Sequence, residues 1–357
     1  MLPNFFYNNL KEVKIFMKKI SLIFLFVFLF ASQAFAFHGV RWEYKASVTS
    51  NIVVNQDKVL FGDSMGAFFA LNKNSGSLVW SYQDNGGSIM GTPAVLDGKV
   101  IFVAADGGIT CLNLNDGSLV WEYSPRPDHN DGIADGVTVG AGLAFISKAD
   151  TKLYALDINT GNTAWTFQAN EQGLRAVPAY SDGLVFLGEY NGIFDIINAK
   201  TGKRENGGGA GGAINTPAVN NGNVYFSSWD GSVQAVQIKA VIPLWHVNIK
   251  DPVTTAPVVA DGVIAVGTGR GYVAALSEKD GSILWQFNCE NGSVSAKPII
   301  ANGKVFACPE GGNIYELNAK SGRLINKFET GGIISSPAYA DGVIYFSADG
   351  KIYALSE

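Results

Sequence analysis

The stretch from Thr92 to Trp121, TPAVLDGKVIFVAADGGITCLNLNDGSLVW, constrains the fold more than any other, because the chain keeps restating it. It holds three short β-type runs, 94–96, 100–103 and 109–112, and a fourth over 119–123. Asp97-Gly98 separates the first two, Asp106-Gly107-Gly108 the next, and Asn115-Asp116-Gly117 precedes the last. Such pairs predict hairpin turns, since glycine takes positive φ without a Cβ clash. Four strands in a meander make one small twisted sheet, which cannot bury both of its faces alone.

The number of copies therefore decides the fold. The element xPAxxDGxV recurs with Pro93, Pro178, Pro217, Pro257, Pro298 and Pro337 near its head. Divergent copies over 52–59 and 137–144 keep the apolar pattern without the proline, which makes eight units. The second half of a unit reads Ala-Leu-x-x-x-x-Gly-x-x-x-Trp. Ala70…Gly76…Trp80, Ala155…Gly161…Trp165 and Ala275…Gly281…Trp285 fit in full, and Cys111…Gly117…Trp121 fits with Cys in the small place. Three units are eroded: Asn206 and Asn326 stand where Trp belongs, and Ala235…Trp245 has Val241 for the Gly and adds Pro243.

The last unit stops at Glu357, before its fourth strand, while Val40-Arg41-Trp42-Glu43-Tyr44 precedes the first unit and copies Val79-Trp80-Ser81-Tyr82. One arrangement explains both features: an all-β, eight-bladed β-propeller of four-stranded antiparallel blades, closed by the N-terminal strand completing the last blade. The expected domain runs over 37–357. The eleven-residue pattern resembles the pyrroloquinoline-quinone (PQQ) repeat. That resemblance implies that Trp42, Trp80, Trp121, Trp165, Trp245 and Trp285 each dock one blade on the next; for chemistry it implies little, since the repeat is a scaffold.

Lys18-Lys19, the apolar run 20–31 and Ala34-Phe35-Ala36 predict a signal peptide over 1–36, with the start at Met17 and cleavage after Ala36. The run is short of the ~20 apolar residues that cross a bilayer, so no transmembrane segment is expected in the mature chain, and no cysteine is placed to carry a lipid anchor. Export to the periplasm or the extracellular space as a soluble monomer follows. The whole chain carries −5 at pH 7, and losing the leader, with four Lys and one Glu, leaves −8. Nucleic acid is not an expected partner of so acidic a chain. Cys111 is read as core. Cys289 and Cys308 fall near one face and could form a disulfide in an oxidising compartment.

Inter-blade loops and second-to-third turns share one face, which holds nearly all the variation among copies. Variation on a rigid scaffold is where binding residues sit. The long loop 124–136 carries Asp128, Asn130, Asp131 and Asp135, but not with EF-hand spacing, and His38, His129 and His246 are scattered, so no metal site is expected. Leu174-Arg175 enters the fourth blade. Tyr190 and Trp229 occupy the second-to-third turns of blades four and five, where other copies have Ser64, Ala105, Ala149, Gly269, Pro309 and Ala348. The run Gly207-Gly208-Gly209-Ala210-Gly211-Gly212 is read as a bare loop between those blades. Leu174, Arg175, Tyr190 and Trp229 together have the composition of a protein-binding patch.

This patch is similar to that of the BamB-like members of the repeat family, in which a Leu-Arg pair entering a middle blade docks an outer-membrane assembly subunit. The resemblance implies an envelope protein as partner. The acidic residues that BamB-like proteins carry before the following blade are replaced by the glycine run and Ile214-Asn215.

The competing class within the resemblance is a quinoprotein dehydrogenase, holding PQQ and calcium in the channel. Those enzymes are much longer and carry adjacent cysteines over the quinone, and no two cysteines are adjacent here. No catalytic residue and no cofactor is expected. Arg126, Arg175 and Lys297 could face the channel mouth, where Arg175 and Lys297 replace small residues, so a small anion in a ligand-binding funnel is an alternative. The expected function is a non-catalytic exported scaffold for an envelope protein.

Overall fold

The Asp-Gly and Asn-Gly pairs turn as their chemistry requires. Asp97, Asp182, Asn221, Asp261, Asn302 and Asp341 lie at φ between 48° and 54°, each followed by a glycine at positive φ, the two left-handed residues of a tight hairpin. The computed structural model describes residues 39–123, 136–170, 173–174, 176–209, 211–290, 292–332 and 335–357, all within one compact unit, Phe37–Glu357. These residues form eight four-stranded antiparallel sheets. In chain order the blades span residues 53–83, 89–123, 138–168, 179–209, 218–248, 258–288, 299–329 and 338–356, the last joined by Gly39–Lys45.

The ring closes as the sequence predicts. Gly39–Lys45 lies antiparallel to Lys351–Ser356, with Trp42 opposite Ala354 and Tyr44 opposite Ile352. In every blade the register slips between the third and fourth strands: between Ala70 and Leu71 in the first blade, Cys111 and Leu112 in the second, Ala275 and Leu276 in the sixth. The closing strand repeats that bulge between Val40 and Trp42. A bulge tightens the local twist and re-aims the next side chain, here the tryptophan.

Each tryptophan then meets the following blade. The Nε1–H groups of Trp42, Trp80, Trp121, Trp165, Trp245 and Trp285 donate to the carbonyls of Lys73, Leu114, Ile158, Ala199, Glu278 and Ala319 at 2.8–3.2 Å. The six rings cover Gly76, Gly117, Gly161, Gly202, Gly281 and Gly322, where an added Cβ would come within 2.5–2.7 Å of indole carbon. These glycines also hold φ of 66–73°. The motif's Gly and Trp thus serve opposite sides of successive blade interfaces. Between blades lie separate apolar clusters, with Phe68 stacked on Phe102 at 4.4 Å and Phe194 on Phe226 at 4.3 Å.

Two expectations need correction. Gly207–Gly209 is strand rather than loop, paired with Ile193, Phe194 and Asp195. Backbone pairing needs no side chain, and the vacant space is occupied: a Cβ on Gly208 would lie 2.5 Å from the Phe194 ring, and one on Gly207 2.4 Å from Arg204 Nη2. Cys289 and Cys308 are free thiols, buried like Cys111. Cys289 packs among Val273, Val294 and Tyr315, whereas Cys308 packs among Ile344, Phe346 and Ala348, so the two serve different inter-blade cores.

Candidate functional site

Second-to-third turns and inter-blade loops are stitched together by one repeated bond. The turn amide donates to the incoming loop: Ala105 to Ser88, Tyr190 to Gly173, Trp229 to Ala213 and Gly269 to Pro252, at 2.9–3.4 Å. In the seventh blade Pro309 has no N–H, and Glu310 donates to Ser293 instead, at 2.9 Å. Whatever residue stands at that turn position is therefore set beside the loop rim on a fixed backbone.

At this position blades four and five present Tyr190, 52% exposed, and Trp229, 59% exposed. Trp229 Nε1 donates to Asn215 Oδ1 at 3.2 Å, and Asn215 Nδ2 donates to the Val253 carbonyl at 3.0 Å. The ring is thereby tethered at its polar edge while its apolar body stays in solvent, the form aromatics take at recognition surfaces. The loop beside it stays thin for a steric reason: a Cβ on Gly211 would lie 2.0 Å from Asp230 Oδ2.

Leu174 does not join this surface. It is 3% exposed and packs with Ala169, Leu187 and Ala199 between the third and fourth blades. An apolar side chain following Gly173 turns inward because the blade interface offers a slot there. Arg175 and Arg126 lie outside the described residues, as do Asp128, His129, Asn130, Asp131 and Asp135. A feature with no counterpart in the sequence reading is Met65, 78% exposed. It follows Ser64 in the first blade's turn, where other copies have Asp106, Asp150, Asn191, Asp230, Arg270, Glu310 and Asp349, and that contrast was available as a signal.

The mouth of the channel encloses a cavity of about 500 Å³ to which Tyr190, Trp229 and Lys297 all contribute. The position before the strand-leading proline contributes from six blades: Thr92, Val177, Thr216, Ala256, Lys297 and Ser336. Neighbouring blades are bonded there. Asn51 Nδ2 donates to Thr92 Oγ1 at 2.7 Å, Val177 N to Thr216 Oγ1 at 3.1 Å, and Lys297 N to Ser336 Oγ at 3.2 Å. Lys297 is accessible to channel water, yet the surrounding walls withdraw bulk solvent and hold its pKa below the usual lysine value.

Behind Tyr190 sits a buried acid pair. Glu189, 2% exposed, accepts from Asn170 Nδ2 at 2.9 Å. Asp195, 3% exposed, meets Arg204 Nε at 2.6 Å. Burial, together with a hydrogen bond to Glu189, pushes the Asp195 carboxyl well above the usual carboxylate range despite the guanidinium. No group of three or more metal-ligating side chains occurs among the described residues, and no helix among them is long and apolar enough to cross a membrane.

Three stretches of the chain, 39–133, 126–205 and 230–357, match the family described as outer membrane protein assembly factor BamB. The factor BamB of Yersinia pestis is 23% identical over 244 residues, 64% of this chain and 52% of that protein. The tetrathionate hydrolase of Acidithiobacillus ferrooxidans is 25% identical over 335 residues, 84% of this chain and 63% of that protein. The chain spans about half the length of the BamB relatives it matches. Among solved structures, BamB from Moraxella catarrhalis superposes with a TM-score of 0.78 at 17% identity, over 89% of this chain and 99% of that one. At that identity the likeness is one of fold.

Proposed function

The chain belongs to the family of the outer membrane protein assembly factor BamB, and on that premise we propose that it is a non-catalytic scaffold of the cell envelope, exported and soluble, that docks a protein partner taking part in outer-membrane assembly. The observation that carries this reading is the pair Tyr190 and Trp229. They stand on neighbouring blades at the rim of one cavity, are more than half exposed, and are set on turns bonded to the incoming loops, at a position that is small or proline in the other six blades. Rigid aromatic anchors lose little entropy on binding, which is why they dominate binding energies.

The test is cross-linking in the native envelope from Trp229 replaced by a photoreactive residue, followed by pull-down with Tyr190→Ala/Trp229→Ala. The double variant should lose the cross-linked partner while its thermal midpoint stays within a few degrees, because neither ring is buried. Capture of the same partner at undiminished yield by the double variant removes this face from the reading.

A second reading is favoured by one observation, the match to a tetrathionate hydrolase across 84% of this chain. It makes the channel a reaction site and predicts that the purified protein consumes tetrathionate. An absence of turnover by protein that still captures its partner leaves the scaffold.

A further inference from the structure

We propose that the channel mouth is a binding site for a small oxyanion, with the Lys297 ammonium as its counter-charge and the hydroxyls of the surrounding ring as its further donors. Three observations point to it independently of the partner-docking reading.

The first is charge. Among the described residues lining the cavity, Lys297 is the one basic side chain, and no carboxylate lines it. No salt bridge to Lys297 occurs among the described residues. The side chain is open to solvent at the mouth, and the walls around it lower its pKa. An anion seated beside an ammonium that has no carboxylate partner in the cavity gains a charge-assisted contact.

The second is the state of the ring hydroxyls. Thr92, Thr216 and Ser336 each accept one bond across a blade junction, from Asn51 Nδ2, Val177 N and Lys297 N. Each oxygen accepts one bond and keeps its O–H hydrogen to offer to an occupant of the channel. Hydroxyl donors lining the same cavity as an ammonium, with no carboxylate among them, favour oxygen-rich anions over cations.

The third is space. About 500 Å³ falls within the range of small-molecule sites, and Trp229 forms part of the wall. A bare inorganic oxyanion fits, and so does a carboxylate carrying a ring that Trp229 could stack on.

Isothermal titration of the whole protein at low ionic strength, with sodium sulfate and separately with sodium phenylacetate, tests this against sodium chloride at matched ionic strength. Saturable one-site binding is expected for at least one probe. Sulfate binding unaffected by Trp229→Ala identifies an inorganic oxyanion site; phenylacetate binding weakened by it identifies a carboxylate site. In either case Lys297→Gln should lose about tenfold or more in affinity, the size of one charge-assisted contact, and Lys297→Arg should restore most of it. Unchanged far-UV dichroism keeps a folding defect from mimicking that loss. No saturable heat with either probe, or equal binding by Lys297→Gln, overturns the proposal.

Discussion

The indole of Trp80 lies so close over Gly117 of the next blade that a Cβ there would stand 2.6 Å from its Cε3 atom. The same relation joins Trp42 to Gly76, Trp121 to Gly161, Trp165 to Gly202, Trp245 to Gly281 and Trp285 to Gly322. Where the tryptophan is lost, so is the glycine: Asn206 stands in the fourth blade's place, and the fifth blade carries Val241 in the glycine position, still at φ 51°. The two halves of the repeat are matched across blade interfaces rather than within blades.

Gly117→Ala should therefore destabilise the ring by about 2 kcal/mol or more, since it places a Cβ at positive φ and drives it into the indole. In a Trp80→Ala background the steric part disappears, and the same substitution should cost only the backbone part. Urea denaturation of the four proteins of this cycle measures the difference. Additive effects would show that ring and glycine do not act on one another.

The eroded interface gives the converse. Asn206→Trp alone should fail to stabilise, because the Val241 side chain fills the space an indole needs. Combined with Val241→Gly it should recover a positive coupling of about 1 kcal/mol, with the introduced N–H reaching the Ile238 carbonyl, the counterpart of Leu114. Melting temperatures of the singles and the double decide it. A double variant no better than the sum of its parts argues against the pairing.

The blade number and the closing strand were legible because both rest on a period: turns, prolines and tryptophans recur at fixed offsets, and the unfinished last unit has its complement at Val40–Tyr44. The exposure of Tyr190 and Trp229 was legible for the same reason, as large residues in a column of small ones. What failed was what periodicity does not encode. Leu174 sits in a loop, but the inter-blade slot between Ala169 and Leu187 decides its direction. Gly207–Gly209 pair as strand through their backbone, and Arg204 and Phe194 fill the space where side chains of Gly207 and Gly208 would stand. Cys289 and Cys308 lie near one face, yet pack into different interfaces.

That placement makes the thiols inert. Burial pushes the pKa of Cys111 and of Cys289 up to about 12, and raises that of Cys308 as well, so almost no thiolate exists at neutral pH. A chromogenic disulfide reagent should find no reactive thiol in the native protein and three after denaturation, matching Cys111, Cys289 and Cys308. Fewer than three under denaturing, non-reducing conditions would mean that a bond forms after all.

Stability should also fall as pH rises through the slightly acidic range, and Asp195 is the reason. Its folded pKa is raised to about 7, from 3.8 for an ordinary aspartate, by burial and by the hydrogen bond to Glu189. Between those values the folded state binds more protons than the unfolded state, so the free energy of unfolding declines with increasing pH. Asp230 and Asp341, whose pKa values are lowered, act in the opposite sense and only below the ordinary aspartate value, so the two effects occupy separate windows. Asp195→Asn removes the titrating group while keeping an oxygen for Arg204 and an amide N–H for Glu189 to accept from. Thermal melts at about pH 5 and about pH 8 should show the wild type losing more stability than the variant across that interval. Parallel curves for the two proteins would show that Asp195 does not titrate in this range.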